Sequence, residues 1–574
     1  MYVETVPNRN SPPAILLREG WREGSKVRKR TLANLSSWPP AKIEALRKLL
    51  RNQPLVSPDE VFTIARSLPH GHVELVLEAC RRLRLLALLD RRPSRQRDCV
   101  LAMIAQRLLH PVSKLATTRL WHTCTLAREL ALRDADEDDL YDAMDWLLQR
   151  QPRIEKRLAQ RHLGEDAQVL YDVSSSYYEG RTCPLMQFGY SRDGKRGRPI
   201  VVYGVLADRR GRPVAVQAYP GNTADPTTVP DQVETLRERF GLQRLVLVGD
   251  RGMLTDTQIE HLRQYPGLGW ISALRHDAIR QLADEESVQM SLFDERNLAE
   301  IRSPLYPDER LVVCSNPALA ARRGHKREAL LAATEEAFGR IQREVRRRTR
   351  KPLPATAIAK KVGRAEQRFK VGKHFRTVIE DGRFEFSRDA VSIERESALD
   401  GLYIIRTSQA ELTAADVVRS YKQLTRVERA FRCLKTVDLM VRPIRHRAAD
   451  RVRAHLFLCL LAYYVEWHLR QALAPLLFQE EGLEAWQARR DPVAPAQPTP
   501  EVQAKKNRRR TADGLELHSF STLMQALATR CHHQCRLRDD PEGPVVERLT
   551  EPTPLQQRAL ELVRMFPVDD QSNS

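Results

Sequence analysis

Five short β-branched runs between residues 167 and 275 leave this chain few possible folds. AQVLYDVSSSYYEG, PIVVYGVLAD, PVAVQAYPGN, RLVLVGD and LGWISAL are each bounded by turn-forming residues. Between the later runs, Thr228 to Phe240 and Asp256 to Gln264 read as helices. Strands alternating with helices imply an α/β core. Two carboxylates fall at telling places in it. Asp172 interrupts the apolar run VLYDV, and an acid buried there must be paired or bind a metal. Asp250 ends RLVLVGD, at the C-terminal edge of a strand, where open α/β sheets put their sites. Taken alone, Asp250 is explained equally well as a cap for the next helix.

The flanks are organised differently. Residues 1–40 hold a basic hairpin, with a Glu23-Gly24-Ser25 turn and Lys26, Arg28, Lys29 and Arg30 on its second arm. It is either a DNA-gripping ribbon or a solvated edge. Residues 41–165 repeat apolar positions every three or four residues, as in VELVLEACRRLRLLALL, and read as a helical region for DNA binding or dimerisation. Residues 166–275 are the first part of the core. Residues 276–404 are charge-rich and interrupt the α/β pattern. They contain a long helix near Lys326 to Thr349, then strand-like HFRTVIEDGRFEFS, AVSIERES and GLYIIRTS. Residues 405–478 resume the core with helices at 413–437 and 449–478. Residues 479–574 read as a Pro-, Lys- and Arg-rich linker, a helix over Ser519 to Arg530 and a polar tail.

Composition narrows the partners. The net charge is +20, which calls for a polyanion. A membrane is excluded as that partner, because the most apolar stretch, Ala454 to Val465, runs into Glu466, His468 and Arg470 and reads as one buried helix. The nine cysteines are scattered, which fits a reducing cytoplasm. Cys531-His-His-Gln-Cys535 has no second ligand pair at finger spacing and is not read as a zinc site.

A third carboxylate lies in RSYKQLTRVERAFRCLKTVDLMVRPIRHR. Tyr421, Glu428 and Lys435 are seven residues apart, a step that drifts only about 20° on a helix, so the three share a face. Arg432, four residues past Glu428, joins them. For this segment alone, an ordinary amphipathic helix with a Glu–Arg pair is the simpler explanation.

The spacing Tyr-x6-Glu-x6-Lys resembles the Y-x2-R-x3-E-x6-K signature of bacterial insertion-sequence transposases of the DDE class. The resemblance extends to FGYSRDGKRGRPIVVYGVLADRRGRPVAVQAYPGNTADPTTV, VLVGDRGM and LYIIRTS, in the family's order, over about residues 165–478. It implies a multidomain α/β protein: an RNase-H-like mixed sheet with flanking helices, interrupted by an α+β insertion domain and preceded by a helical N-terminal DNA-binding region. It implies that Asp172, Asp250 and Glu428 are catalytic and hold two Mg²⁺ ions, with Mn²⁺ as a substitute. Tyr421, Lys435 and Arg432, with Lys26, Arg28 and Arg30 of the hairpin, would bind DNA. The signature Arg falls at 424, where this chain has Leu; Arg432 and Arg426 are the candidates to replace it, and helix geometry favours Arg432, on the Glu428 face.

The chemistry explains the residue types. Phosphodiester transfer needs an activated oxygen nucleophile and a stabilised leaving oxygen, and two hard cations on carboxylates serve both. Without metal the carboxylates repel, so the triad is expected partly protonated or poorly ordered. Relatives of this kind stabilise a flipped base with an aromatic of the insertion; no Trp lies in 276–404, which leaves Phe375, Phe384 or Phe386. The resemblance implies cut-and-paste cleavage of element ends and strand transfer on double-stranded DNA (terminal inverted repeats and target), by a homodimer in the bacterial cytoplasm, nucleoid-associated. The competing readings are a metal-dependent nuclease of the same fold and a domesticated DNA-binding protein without catalysis.

Overall fold

The structure is a computed structural model that describes residues 1–9, 11–53, 62–285, 297–436, 438–495, 497–538 and 542–567. Parts of the sequence-derived regions, notably 54–61, 286–296, 539–541 and 568–574, lie outside these residues. The described chain divides into two units, Met1–His70 with Thr529–Glu551, and Gly71–Ala528 with the segment from Pro552 onward.

In the first unit the basic run forms a hairpin of β2 (Ala14–Glu23) and β3 (Lys26–Asn34), and β1 (Tyr2–Val6) pairs with β2 as a third strand. The two-residue loop Gly24-Ser25 turns it, with Gly24 at φ +63°, a conformation glycine adopts without steric cost. The cations of β3 face acids across the sheet: Arg28 to Glu23 at 2.9 Å, Lys29 to Glu4 at 3.2 Å and Arg30 to Glu19 at 2.9 Å. Strand β4 (Phe62–Pro69) falls inside the region read as helical. It is a strand because it pairs with Cys531–Leu537, near the other end of the sequence. Cys531-His-His-Gln-Cys535 therefore lies extended in a sheet.

The second unit is built on an eight-stranded sheet of β5 (Ala167–Tyr177), β6 (Ile200–Asp208), β7 (Pro213–Pro220), β8 (Leu245–Val248), β9 (Leu268–Ala273), β10 (Leu298–Ile301), β11 (Arg310–Ser315) and β14 (Leu402–Thr407), in the order β10-β11-β14-β9-β8-β5-β6-β7. Strands β5, β8 and β9 are parallel and the other pairings antiparallel. Helices Gly71–Arg82, Arg95–Leu109 and Glu137–His162 pack with the buried helix Ala449–Ala472, which also lies on β7. Among the described residues no helix is long and apolar enough to cross a membrane.

The excursion that interrupts the core is narrower than 276–404. Strands β10 and β11 are part of the large sheet. The chain leaves at Ser315 and returns at Leu402, directly opposite it in the β11–β14 ladder. Between them, helices Pro317–Arg347 and Ala355–Phe369 and the hairpin β12 (Phe375–Glu380) with β13 (Arg383–Arg388) enclose a separate core around Phe338. Phe375, Phe384 and Phe386 ring Phe338 at 5.3, 5.6 and 5.4 Å between centroids. Phe375 and Phe384 are buried there, so base stacking is not available to them. AVSIERES is a helix, Ala390–Ser397, not a strand, because Asp389 caps it by accepting from the Ser392 amide. The segment after 478 also carries more structure than a linker and tail: helices Leu483–Arg489, Pro500–Arg508, Phe520–Ala528 and Pro554–Met565.

Candidate active site

Strand β5 fixes the first carboxylate. Its central position buries Tyr171 beneath Asp172, and the Tyr171 hydroxyl donates to Thr228 Oγ1 at 2.8 Å. Gly204 on β6 leaves the room that the Tyr171 ring occupies; a Cβ there would collide with it. The Asp172 Oδ1 accepts from the Val173 amide at 2.7 Å. Asp250 follows β8 in a turn, with Oδ1 accepting from the Gly252 and Met253 amides at 2.9 and 2.8 Å. These bonds close the turn after β8 and not the next helix, Asp256–Arg263, whose N-cap position is Thr255, so capping does not account for Asp250. Glu428 is exposed on helix Leu424–Lys435, which packs its apolar face, including Val427, Ala430, Phe431 and Leu434, against β5.

These three elements bring the carboxylates together. Burial pushes the Asp172 carboxyl up to about 7, and the charges of Asp250 and Glu428 add to that push, against the Val173 amide and Arg192. Burial is the larger cause of this shift and the neighbouring carboxylates the smaller one. They are not drawn tightly together: among the described residues, the only set with ligand atoms all within 4.8 Å of one another is Cys433, Asp438 and Glu466. That set is already bridged by Arg470, 2.6 Å from Glu466 and 3.1 Å from Asp438.

Tyr421 joins the triad from the preceding helix, Ala414–Lys422; the single helix expected over 413–437 breaks at Gln423. Burial raises its hydroxyl to about 12, and Asp250 and Glu428 reinforce the shift while Arg251 opposes it. Arg432 is exposed on the Glu428 helix and has no ion pair among the described residues. Leu424 is buried, so the face that would carry the signature Arg is core here.

Lys435 departs from the expectation of a DNA contact. It is only 8% exposed, and its ammonium lies 3.1 Å from Asp193, which also pairs with Arg442. Asp193 in turn accepts from the Tyr177 amide at 3.1 Å, tying the loop after β5 to the end of the Glu428 helix. Lys26, Arg28 and Arg30 are exposed, in the other unit. The sequence reading missed Arg192, Asp193 and Arg251. The only available signal was their position: SRDG lies in the loop that follows the Asp172 strand, and Arg251 directly follows Asp250.

Residues 181–465 match the family described as Transposase DDE domain, and residues 3–57 match the IS1634 family transposase N-terminal domain. None of the curated proteins matches the chain. Among solved structures, the cryo-EM structure of a piggyBac transposase synaptic complex with hairpin DNA aligns at TM-score 0.32 and 10% identity, over 79% of this chain and 77% of that one, a likeness too slight to bear on the fold. The chain belongs to the DDE-class transposases of insertion sequences, and is an enzyme of DNA transposition.

Proposed function

We propose that the protein excises its own element and joins it to target DNA by cut-and-paste chemistry at Asp172, Asp250 and Glu428. The observation that carries this reading is the register of the core: Leu170 pairs with Val248 in the parallel β5–β8 ladder, which puts Asp172 and Asp250 each two residues past that pair, and the helix that bears Glu428 packs on β5. The order β7-β6-β5-β8-β9, with β6 antiparallel beside three parallel strands, supports an RNase-H-like core.

The donors fit two Mg²⁺ ions, with Mn²⁺ as a substitute. All are hard oxygens, and the backbone bonds on Asp172 and Asp250 fall on Oδ1 alone. When bound, the metal supplies positive charge to the attacking and leaving oxygens. The chain's own residues do the rest. Asp172 gives up its proton to become a ligand. The anchored Oδ1 atoms fix how the Asp172 and Asp250 carboxylates are presented. Tyr421, kept protonated by burial, can donate to a phosphate oxygen, and Arg432 offers a cation on the Glu428 face. Lys435 acts at one remove, as a positioning residue through Asp193. Two element ends must be cut in concert, so the active form is a homodimer on double-stranded DNA.

The test is a plasmid carrying the gene with its flanks, incubated with the purified protein in Mg²⁺ or EDTA. Cuts at two fixed borders are expected, dependent on metal and absent in Asp250→Asn and Glu428→Gln. Cutting that survives in either variant would remove the triad. Joined products separate a transposase from a nuclease; border binding without cutting indicates a DNA-binding protein alone.

A further inference from the structure

A second face of the Glu428 helix borders a cavity of about 1040 Å³. Arg429 and Cys433, which line it, are rotated about 100° and 140° around the helix from Glu428. The cavity is therefore separate from the carboxylate site. Its chemistry is aromatic and cationic. Trp467, Trp486 and Phe478 line it, and Trp486 and Phe478 are 36% and 42% exposed. Arg429, Arg490 and Lys506 line it too. Arg429 and Lys506 have no ion pair among the described residues, and the Arg490 guanidinium holds a buried nitrogen without an acceptor. A buried cationic donor left without an acceptor is costly, and an anion brought to it would relieve that cost. The two acids on the lining are engaged: Glu481 pairs with Lys505, and Glu480 accepts from the Thr499 amide at 3.1 Å.

A second cavity of about 500 Å³ shares Arg426, Gln487 and Arg490 with the first. The two adjoin, which makes a trough with cations along it.

We propose that this trough binds a short unpaired segment of DNA. Bases would stack on Trp486 and Phe478, and phosphates would meet Arg429, Arg490 and Lys506. Exposed aromatics interleaved with unpaired cations are the means by which proteins hold single strands without reading sequence. A duplex keeps its base faces stacked inside and offers nothing to Trp486. The inference does not depend on the role given to the carboxylates.

The test is fluorescence anisotropy of the full-length protein with a labelled oligothymidine of about 12 nucleotides in EDTA, a length within single-stranded site sizes. Trp486→Ala is expected to weaken binding about tenfold, and Trp486→Phe, which keeps a stacking face, by no more than about threefold. Arg429→Gln with Lys506→Gln should lower the slope of log affinity against log salt by about 1.4, or about 0.7 per phosphate contact. Equal affinity in Trp486→Ala would overturn the proposal. So would a blunt duplex of the same length that binds as tightly and is weakened as much by Trp486→Ala. Asp250→Asn should bind oligothymidine like the wild type while failing to cut, so the two readings fail separately.

Discussion

Asp172 carries the strongest conflict of any residue in the site, since burial favours its acid form and metal binding needs its anion. A carboxyl raised to about 7 holds its proton below that pH and must release it to a cation. Metal affinity should therefore rise between pH 6 and pH 8, by up to about tenfold per pH unit below the pKa. Calorimetric titration with Mn²⁺ at the two pH values checks this; equal affinities would mean that Asp172 is not a ligand. Asp193 makes a different demand. It is 1% exposed at its side chain and faces two cations, Lys435 and Arg442. Asp193→Asn leaves both without their counter-charge in a buried place, and is expected to cost about 3–5 kcal/mol in a denaturant melt. A loss below about 1 kcal/mol would show that water reaches the pair. Asp172 and Asp250 were readable in the sequence because each breaks or ends an apolar run. Asp193 was not, because its partners lie more than two hundred residues on and its loop has no periodicity.

The helices and strands divide along the same line. The core strands announce themselves by short β-branched runs, and the Glu428 helix by its spacing, so local pattern sufficed for both. Strand β4 eluded it because its partner, Cys531–Leu537, is remote in sequence. AVSIERES eluded it because two β-favouring side chains near its start, Val391 and Ile393, were outweighed by the Asp389 cap. The limits of the insertion were misplaced because β11 pairs with β14 and β10 with β11, which only the folded sheet reveals. What the insertion owns is the Phe338 core, fully separate from the main one. Phe338→Ala should cost about 3–5 kcal/mol locally. Because that core is self-contained, the expected result is early proteolytic nicking within 317–398, while the large sheet unfolds near the wild-type temperature. A single cooperative transition shifted as a whole would show that the insertion and sheet fold as one.

Charge is the property that belongs to the entire chain, and its effect on DNA depends on whether +20 acts as a diffuse field or through contacts. The helix Pro317–Arg347 separates the two. Arg343, Arg346 and Arg347, with Arg350 just beyond, are exposed and have no ion pair among the described residues, whereas Arg340 and Arg348 sit near Glu336 and Glu344. If the four free cations touch phosphates, replacing all of them with Gln removes up to about 0.9 from the salt slope for each contact, or about 3.6 in total. If they act only through the field, screening beyond about 10 Å leaves the slope almost unchanged and lowers affinity mainly at low salt. Binding to a duplex carrying the element end, measured between 50 and 300 mM salt, tells these apart. A slope reduced by two units or more is the expected result, because unpaired guanidinium groups clustered at one helix end are spaced for a backbone rather than for one another. An unchanged slope would assign the helix to the solvated surface and move the contacts to the basic hairpin, whose cations already have carboxylate partners to give up.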